Sequence, residues 1–171
     1  MTALLAALVL APVRPAAPAT AVLSAAQARA TRERKNVLVL FEASWCRWCR
    51  KFDALLADPT LRPAWERSFV VAKINVRERG EQKALENPGW APVMKRLRGS
   101  DEGDVPYMAV LDAKGVKLAD SLRVGTGPIP SNAGYPTLPE EVAAFVGTIE
   151  RTGRFTPAEI ASLRARLQAS R

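Results

Sequence analysis

Histidine is missing from all 171 residues, and cysteine occurs only twice. Without imidazole there is no histidine general base, no Ser-His or Cys-His nucleophile pair and no mixed Cys/His zinc site. Two thiols cannot complete a four-thiolate site either, so no metal is expected, and nothing suggests a bound organic cofactor. Aromatic residues are scarce at 6%, and no aromatic motif of the RNA-binding kind occurs. The net charge of +8 would suit nucleic acid, but the basic residues run from Arg14 to Arg171 without a dense cluster, and no nucleic-acid partner is expected. Apolar residues make up 48% and charged residues 25%, with 10 Gly and 13 Pro, which describes one globular domain with a feasible core.

The longest purely apolar run, Ala3 to Ala11, is too short to span a bilayer, and no later segment reaches spanning length. It fits the apolar region of a signal peptide, followed by Ala17-Pro18-Ala19 or Ala19-Thr20-Ala21 as a small-x-small cleavage site. Residues 1–21 are therefore expected to be a leader, and the mature protein to be periplasmic or secreted without stable membrane insertion. A leader that is not a signal would leave it cytoplasmic. No Lys or Arg precedes the run, so only the terminal amine is positive there.

Beyond the leader the pattern alternates. Ser24 to Arg34 reads as a helix with Ser24 as N-cap, and Val37-Leu38-Val39-Leu40-Phe41 as a strand buried on both faces. At Cys46 the period changes, with Cys46, Cys49, Phe52 and Leu56 three and four apart, so a helix starts there. Asp58-Pro59 is expected to cap a short helix ending near Trp65, and Phe69 to Val76 to be the second strand. Arg77 to Val105 reads as an irregular insertion with a turn of helix over Val93 to Leu97. Tyr107 to Leu111 and Val116 to Asp120 form a hairpin around Asp112-Ala113-Lys114-Gly115. A last long helix opens at Thr137 with a capping box to Glu140 and buries Val142, Phe145, Val146 and Ile149; a second box, Thr156 to Glu159, starts a helix carrying Ile160, Leu163 and Leu167. The order predicts one α/β domain over 22–151, a mixed sheet with helices on both faces, and a helical tail over 152–171. Its chemistry belongs at the carboxyl end of the first strand, where the cysteines are.

Two cysteines separated by two residues in the first turn of a helix close a small ring, with the first sulfur facing solvent and the helix N-terminus. The free N–H groups and helix dipole favour a thiolate at Cys46, helped by Arg47, Arg50 and Lys51. A pKa lowered by two units from about 8.5 would raise the thiolate fraction roughly 25-fold at pH 7 while nucleophilicity falls roughly 8-fold. The net gain in attack, about threefold, is small, so the low pKa matters mainly for leaving-group quality and redox poise. Haem attachment would need His after the second cysteine, where Arg50 stands. A structural disulfide closing so short a loop would remove little unfolded-state entropy. Redox chemistry is the expected use.

The stretch from Val37 through Ala43-Ser44-Trp45-Cys46-Arg47-Trp48-Cys49-Arg50, then Val71-Ala72-Lys73-Ile74-Asn75, Val105-Pro106-Tyr107, and Gly115 with Val124-Gly125, resembles the thioredoxin superfamily, in particular its exported bacterial thioredoxin-like branch. The resemblance covers about Ser24 to Arg151. It implies a thioredoxin fold, Cys46 as attacking nucleophile, Cys49 as resolving thiol and Pro106 as a cis-proline that presents the Val105 backbone to an extended substrate, with Trp45, Arg47 and Trp48 completing the contact surface. The chain departs from the family at three places. The usual buried acid falls at Leu40, so Glu42 or Asp53, balancing Lys73, is expected to take its role as proton relay; the central dipeptide is Arg47-Trp48; and the insertion between Arg77 and Asp104, with Trp90, has no counterpart in a minimal thioredoxin. The implied function is a monomeric thiol:disulfide oxidoreductase acting on protein thiols and disulfides with an upstream redox partner. The rivals are a non-catalytic binding or chaperone-like module using Trp45, Trp48, Trp90 and Tyr107, and an oxidase or isomerase of opposite poise.

Overall fold

A computed structural model describes residues 15–123 and 131–169. The apolar run of the leader and the Val124-Gly125 pair lie outside the described residues. The elements follow in the order α1 (Ala19–Glu33), β1 (Asn36–Glu42), α2 (Arg47–Ala57), α3 (Arg62–Ser68), β2 (Phe69–Asn75), a 3-10 helix (Gly80–Leu85), α4 (Trp90–Arg98), β3 (Tyr107–Leu111), β4 (Lys117–Asp120), β5 (Leu122–Arg123), β6 (Ser131–Asn132), α5 (Pro139–Thr152) and α6 (Pro157–Ala169). The main sheet has the order β2-β1-β3-β4; β1 runs parallel to β2 and antiparallel to β3, and β3 antiparallel to β4. β5 and β6 form a separate two-stranded ribbon.

β1 is flanked by strands on both edges and covered on both faces, which is why Val37 to Phe41 read as a continuous apolar run. Alternation divides its side chains between two cores. Val37, Val39 and Phe41 join α1 and α4; Leu38 and Leu40 join Phe52 of α2, Trp65 of α3 and the apolar stripes of α5 and α6. Ile160, Leu163 and Leu167 of α6 belong to that second core, each worth about 1.5–3 kcal/mol by transfer, so the helix beyond residue 152 is integral to the fold.

Four local expectations are corrected. α1 begins at Ala19, not Ser24: Ala19 is fully buried and its N–H donates to the Pro88 carbonyl at 2.9 Å, while the Ser24 hydroxyl bonds back to the Ala21 carbonyl inside the helix. The helix thus includes the last three residues of the expected leader. Asp58 caps a turn instead of a helix, its carboxylate accepting from Thr60 N–H at 3.0 Å, and α3 starts at Arg62 with Pro63 in its first turn. The insertion is more regular than expected: α4 extends over Trp90–Arg98, ends at Gly99 in the left-handed region (φ 93°), and buries Val93, Met94 and Leu97. The box on α5 is formed by Glu141, not Glu140. Pro139 takes the first helical position, which puts Glu141 third, where it accepts from the N–H groups of Thr137 (2.9 Å) and Leu138 (3.0 Å). Glu140 is left exposed, 3.5 Å from Arg123.

Candidate functional site

β1 runs out at Glu42, and Ala43-Ser44-Trp45 turns the chain into α2. The Cys46 N–H donates to the Ala43 carbonyl at 2.9 Å, which closes this turn and makes Cys46 the N-cap of α2. As in an oxygen-capped helix, the cap atom accepts a backbone donor: Cys49 N–H points at Cys46 Sγ at 3.0 Å. Cys46 and Cys49 are joined as a disulfide with Cα atoms 5.3 Å apart. Both are buried, at 4% and 3% exposure, so the first sulfur is less open to solvent than expected. Its cover is the loop before β3, where the Val105 carbonyl oxygen lies 3.4 Å from Cys46 Sγ. The Val105–Pro106 peptide bond is cis.

The structure brings Trp45, Arg47, Trp48, Val105 and Pro106 around the disulfide, on two sides of it. Trp48, 37% exposed, stacks on Tyr135 at 6.1 Å, with the Lys51 ammonium 4.8 Å and the Arg47 guanidinium 5.2 Å from its ring. These rings border a cleft of about 400 Å³ whose wall includes Val105, Pro106, Asn132 and Gly134. Asn132 fixes that wall by donating to the Pro106 carbonyl at 2.8 Å, and a Cβ on Gly134 (φ 56°) would come within 3.2 Å of the same oxygen. On the other side Trp45, 42% exposed, donates its indole N–H to the Arg77 carbonyl at 2.9 Å under the Arg79 guanidinium, 4.4 Å from the ring. Tyr135, Asn132 and Glu78 were not among the residues expected from sequence. Trp90, proposed as a contact residue, is half-buried beneath Arg77, and Tyr107 is fully buried.

Below the disulfide, Leu40 is buried where the family's acid would stand, paired across the sheet with Lys73. The Lys73 ammonium is hydrogen-bonded to Asp53 of α2 and lies 3.5 Å from Glu42. The expected alternatives are thus both present: Glu42 two residues along the Leu40 face of β1, and Asp53 one turn beyond Cys49. Burial pushes the Glu42 carboxyl above the ordinary carboxylate range, although the Lys73 charge opposes it. Among the described residues no cluster of acidic and cysteine side chains is arranged to hold a metal, and no helix is long and apolar enough to cross a membrane.

Residues 19–113 match the family model of thioredoxin-like proteins. The chain belongs to the thioredoxin-like family. Solved structures similar to it include a disulphide isomerase from Xylella fastidiosa Temecula1, with 22% identity and a TM-score of 0.51 over 66% of this chain and 79% of that one. The C-terminal domain of DsbD from Neisseria meningitidis, in its oxidised form, gives 19% identity and a TM-score of 0.48 over 81% of this chain and 99% of that domain. A thioredoxin from Thermus thermophilus gives 20% and 0.45 over 82% and 87%. Among curated proteins none matches the chain. The family match and the sheet order identify a thioredoxin fold, extended by α6 and built around a Cys46–Cys49 pair.

Proposed function

We propose that this thioredoxin-like protein is an exported, monomeric thiol:disulfide oxidoreductase acting on disulfides of other proteins. The observation that carries the reading is the capping geometry: Cys46 Sγ sits at the N-cap of α2 with the Cys49 N–H at 3.0 Å, beside an open cleft. That donor and the positive end of the helix stabilise a thiolate on Cys46 more than on Cys49. In the reduced protein the Cys46 thiolate attacks one sulfur of a substrate disulfide, forming a mixed disulfide and expelling the other sulfur as a thiolate. Cys49, deprotonated, then attacks Cys46 Sγ, closing the intramolecular disulfide and releasing the second substrate thiol. Two electrons pass to the substrate, and an upstream dithiol returns them. Val105 offers its backbone to an extended substrate strand, Pro106 shapes the cleft, and Trp48, Arg47 and Trp45 contact the flanking residues. Glu42 or Asp53, held by Lys73, accepts the Cys49 proton; burial, which pushes the Glu42 carboxyl up, supports Glu42 in that role.

Equilibration in glutathione buffers, with thiol state read by alkylation, tests the proposal. A reversible two-electron transition that disappears in Cys46→Ser is expected. A potential near about −270 mV makes the protein a reductase, and one near about −120 to −180 mV an oxidase or isomerase. A Cys46→Ser protein that still performed the biological task would replace the enzyme by a binding module.

A further inference from the structure

The turn that delivers Cys46 is held from outside its own element. Glu78, three residues past β2, is a carboxylic acid at 4% exposure, and burying such a group is costly unless its oxygens are satisfied. Both oxygens are used on one residue: Oε1 accepts from Ser44 N–H at 2.7 Å, and Oε2 from the Ser44 hydroxyl at 2.5 Å. The third polar group of Ser44, its carbonyl, accepts from Arg50 at 3.1 Å. The next residue, Trp45, is pinned from the same tripeptide, its indole N–H on the Arg77 carbonyl and its ring under Arg79. Cys46 follows directly.

The holder is itself fixed. The Glu78 N–H donates to the Glu86 carboxylate at 2.9 Å. Arg77 adopts a left-handed backbone (φ 53°), a conformation that non-glycine residues rarely take unless the surroundings hold them there. Its guanidinium bonds the carbonyls of Asp101 and Gly103 and lies 5.3 Å from the Trp90 ring of α4. A continuous chain of contacts therefore runs from α4 through Arg77 and Glu78 to Ser44 and the cap of α2.

We infer that Glu78 is a positioning residue for Cys46, and that the segment 77–103 is a strap whose purpose is to hold the Ser44–Trp45 turn at the geometry the Cys46 thiolate requires. Capping stabilisation falls off within one turn of the helix end, so a loosened turn weakens the Cys49 N–H bond to Cys46 Sγ. The role deepens the exchange reading above and rests on it for its biological meaning, but it is measurable without any protein substrate. The reduced protein is alkylated with iodoacetamide at pH 7, the Cys46 adduct is followed by mass spectrometry, and folding is checked by circular dichroism. Glu78→Ala is expected to slow alkylation by up to about threefold, the whole gain in attack that a two-unit lowering of the thiol pKa gives, and to move the glutathione equilibrium toward the disulfide. Ser44→Ala, which removes only the hydroxyl bond, slows it less. Glu78→Gln, whose amide oxygen accepts from Ser44 N–H, restores most of the rate. A folded Glu78→Ala protein alkylated at the wild-type rate overturns the inference. So does a faster rate in both Glu78→Ala and Glu78→Gln, because removing a nearby negative charge favours a thiolate and the residue would then act through charge alone. If Glu78→Ala does not fold, Ser44→Ala decides: an unchanged rate overturns the strap. A wild-type protein that fails to exchange with protein disulfides removes the enzyme reading instead, and leaves the alkylation result standing.

Discussion

Trp45 and Trp48 flank the disulfide, are exposed to nearly the same degree, 42% and 37%, and each carries a cation against its ring. They differ in what holds them. Trp45 is tied to the Arg77–Arg79 segment by a hydrogen bond and a stacked guanidinium, whereas Trp48 stacks on Tyr135 at the border of the cleft. Similar exposure therefore conceals two settings and, on the function proposed, two main jobs: Trp45 is tied to the segment that holds the turn before Cys46, and Trp48 lines the cleft proposed to receive a substrate.

Substitutions separate these jobs, with a core residue as yardstick. Phe41→Ala, deep in the first core, is expected to cost about 3–5 kcal/mol in urea unfolding. Trp45→Ala should cost about 1–2 kcal/mol from the lost indole hydrogen bond and cation–π contact, with slower alkylation of Cys46. Trp48→Ala should cost about 0.5–1 kcal/mol in stability yet raise KM for a protein disulfide more than it lowers kcat. Equal KM effects from Trp45→Ala and Trp48→Ala would erase the distinction drawn between them.

The smallest effect concerns the charges beneath. Because the native Glu42 carboxyl titrates above its ordinary value near 4.5, the native state binds its proton more tightly than the unfolded chain does. The associated stability is fully present below pH 4.5 and is lost as pH rises through the raised native value. Glu42→Gln should therefore gain on the wild type in urea midpoint between pH 4.5 and 7. A gap that narrows over that range would show the Lys73 pairing to outweigh burial.

Much of this was legible in the sequence because it is local. The Val37-to-Phe41 run, the switch to helical spacing at Cys46, the Asp112-to-Gly115 turn and the Thr156–Glu159 box depend on period and capping chemistry within a few residues, and each lies where the pattern puts it. Lys73 with Glu42 and Asp53 was also traceable, from strand alternation and one helical turn. α4 reads in the sequence as only a turn over Val93 to Leu97, although Trp90, Val93, Met94 and Leu97 carry helical spacing, because Pro88, Gly89, Pro92 and Gly99 mask its full length; Pro92 is tolerated in the first turn of the helix. The shift from Glu140 to Glu141 turned on which residue Pro139 makes the first of the helix.

The sequence by itself determined the order of the four main-sheet strands and of the long helices around them, the cysteine at a helix cap and the apolar residue in place of an acid, since each follows from spacing along the chain. The tertiary structure alone decided that Tyr135 backs Trp48, that α6 completes the second core, and that Glu78 reaches Ser44 across 34 positions. Such contacts depend on how separate elements dock, and a carboxylate 34 residues from its partner has no periodicity to betray it.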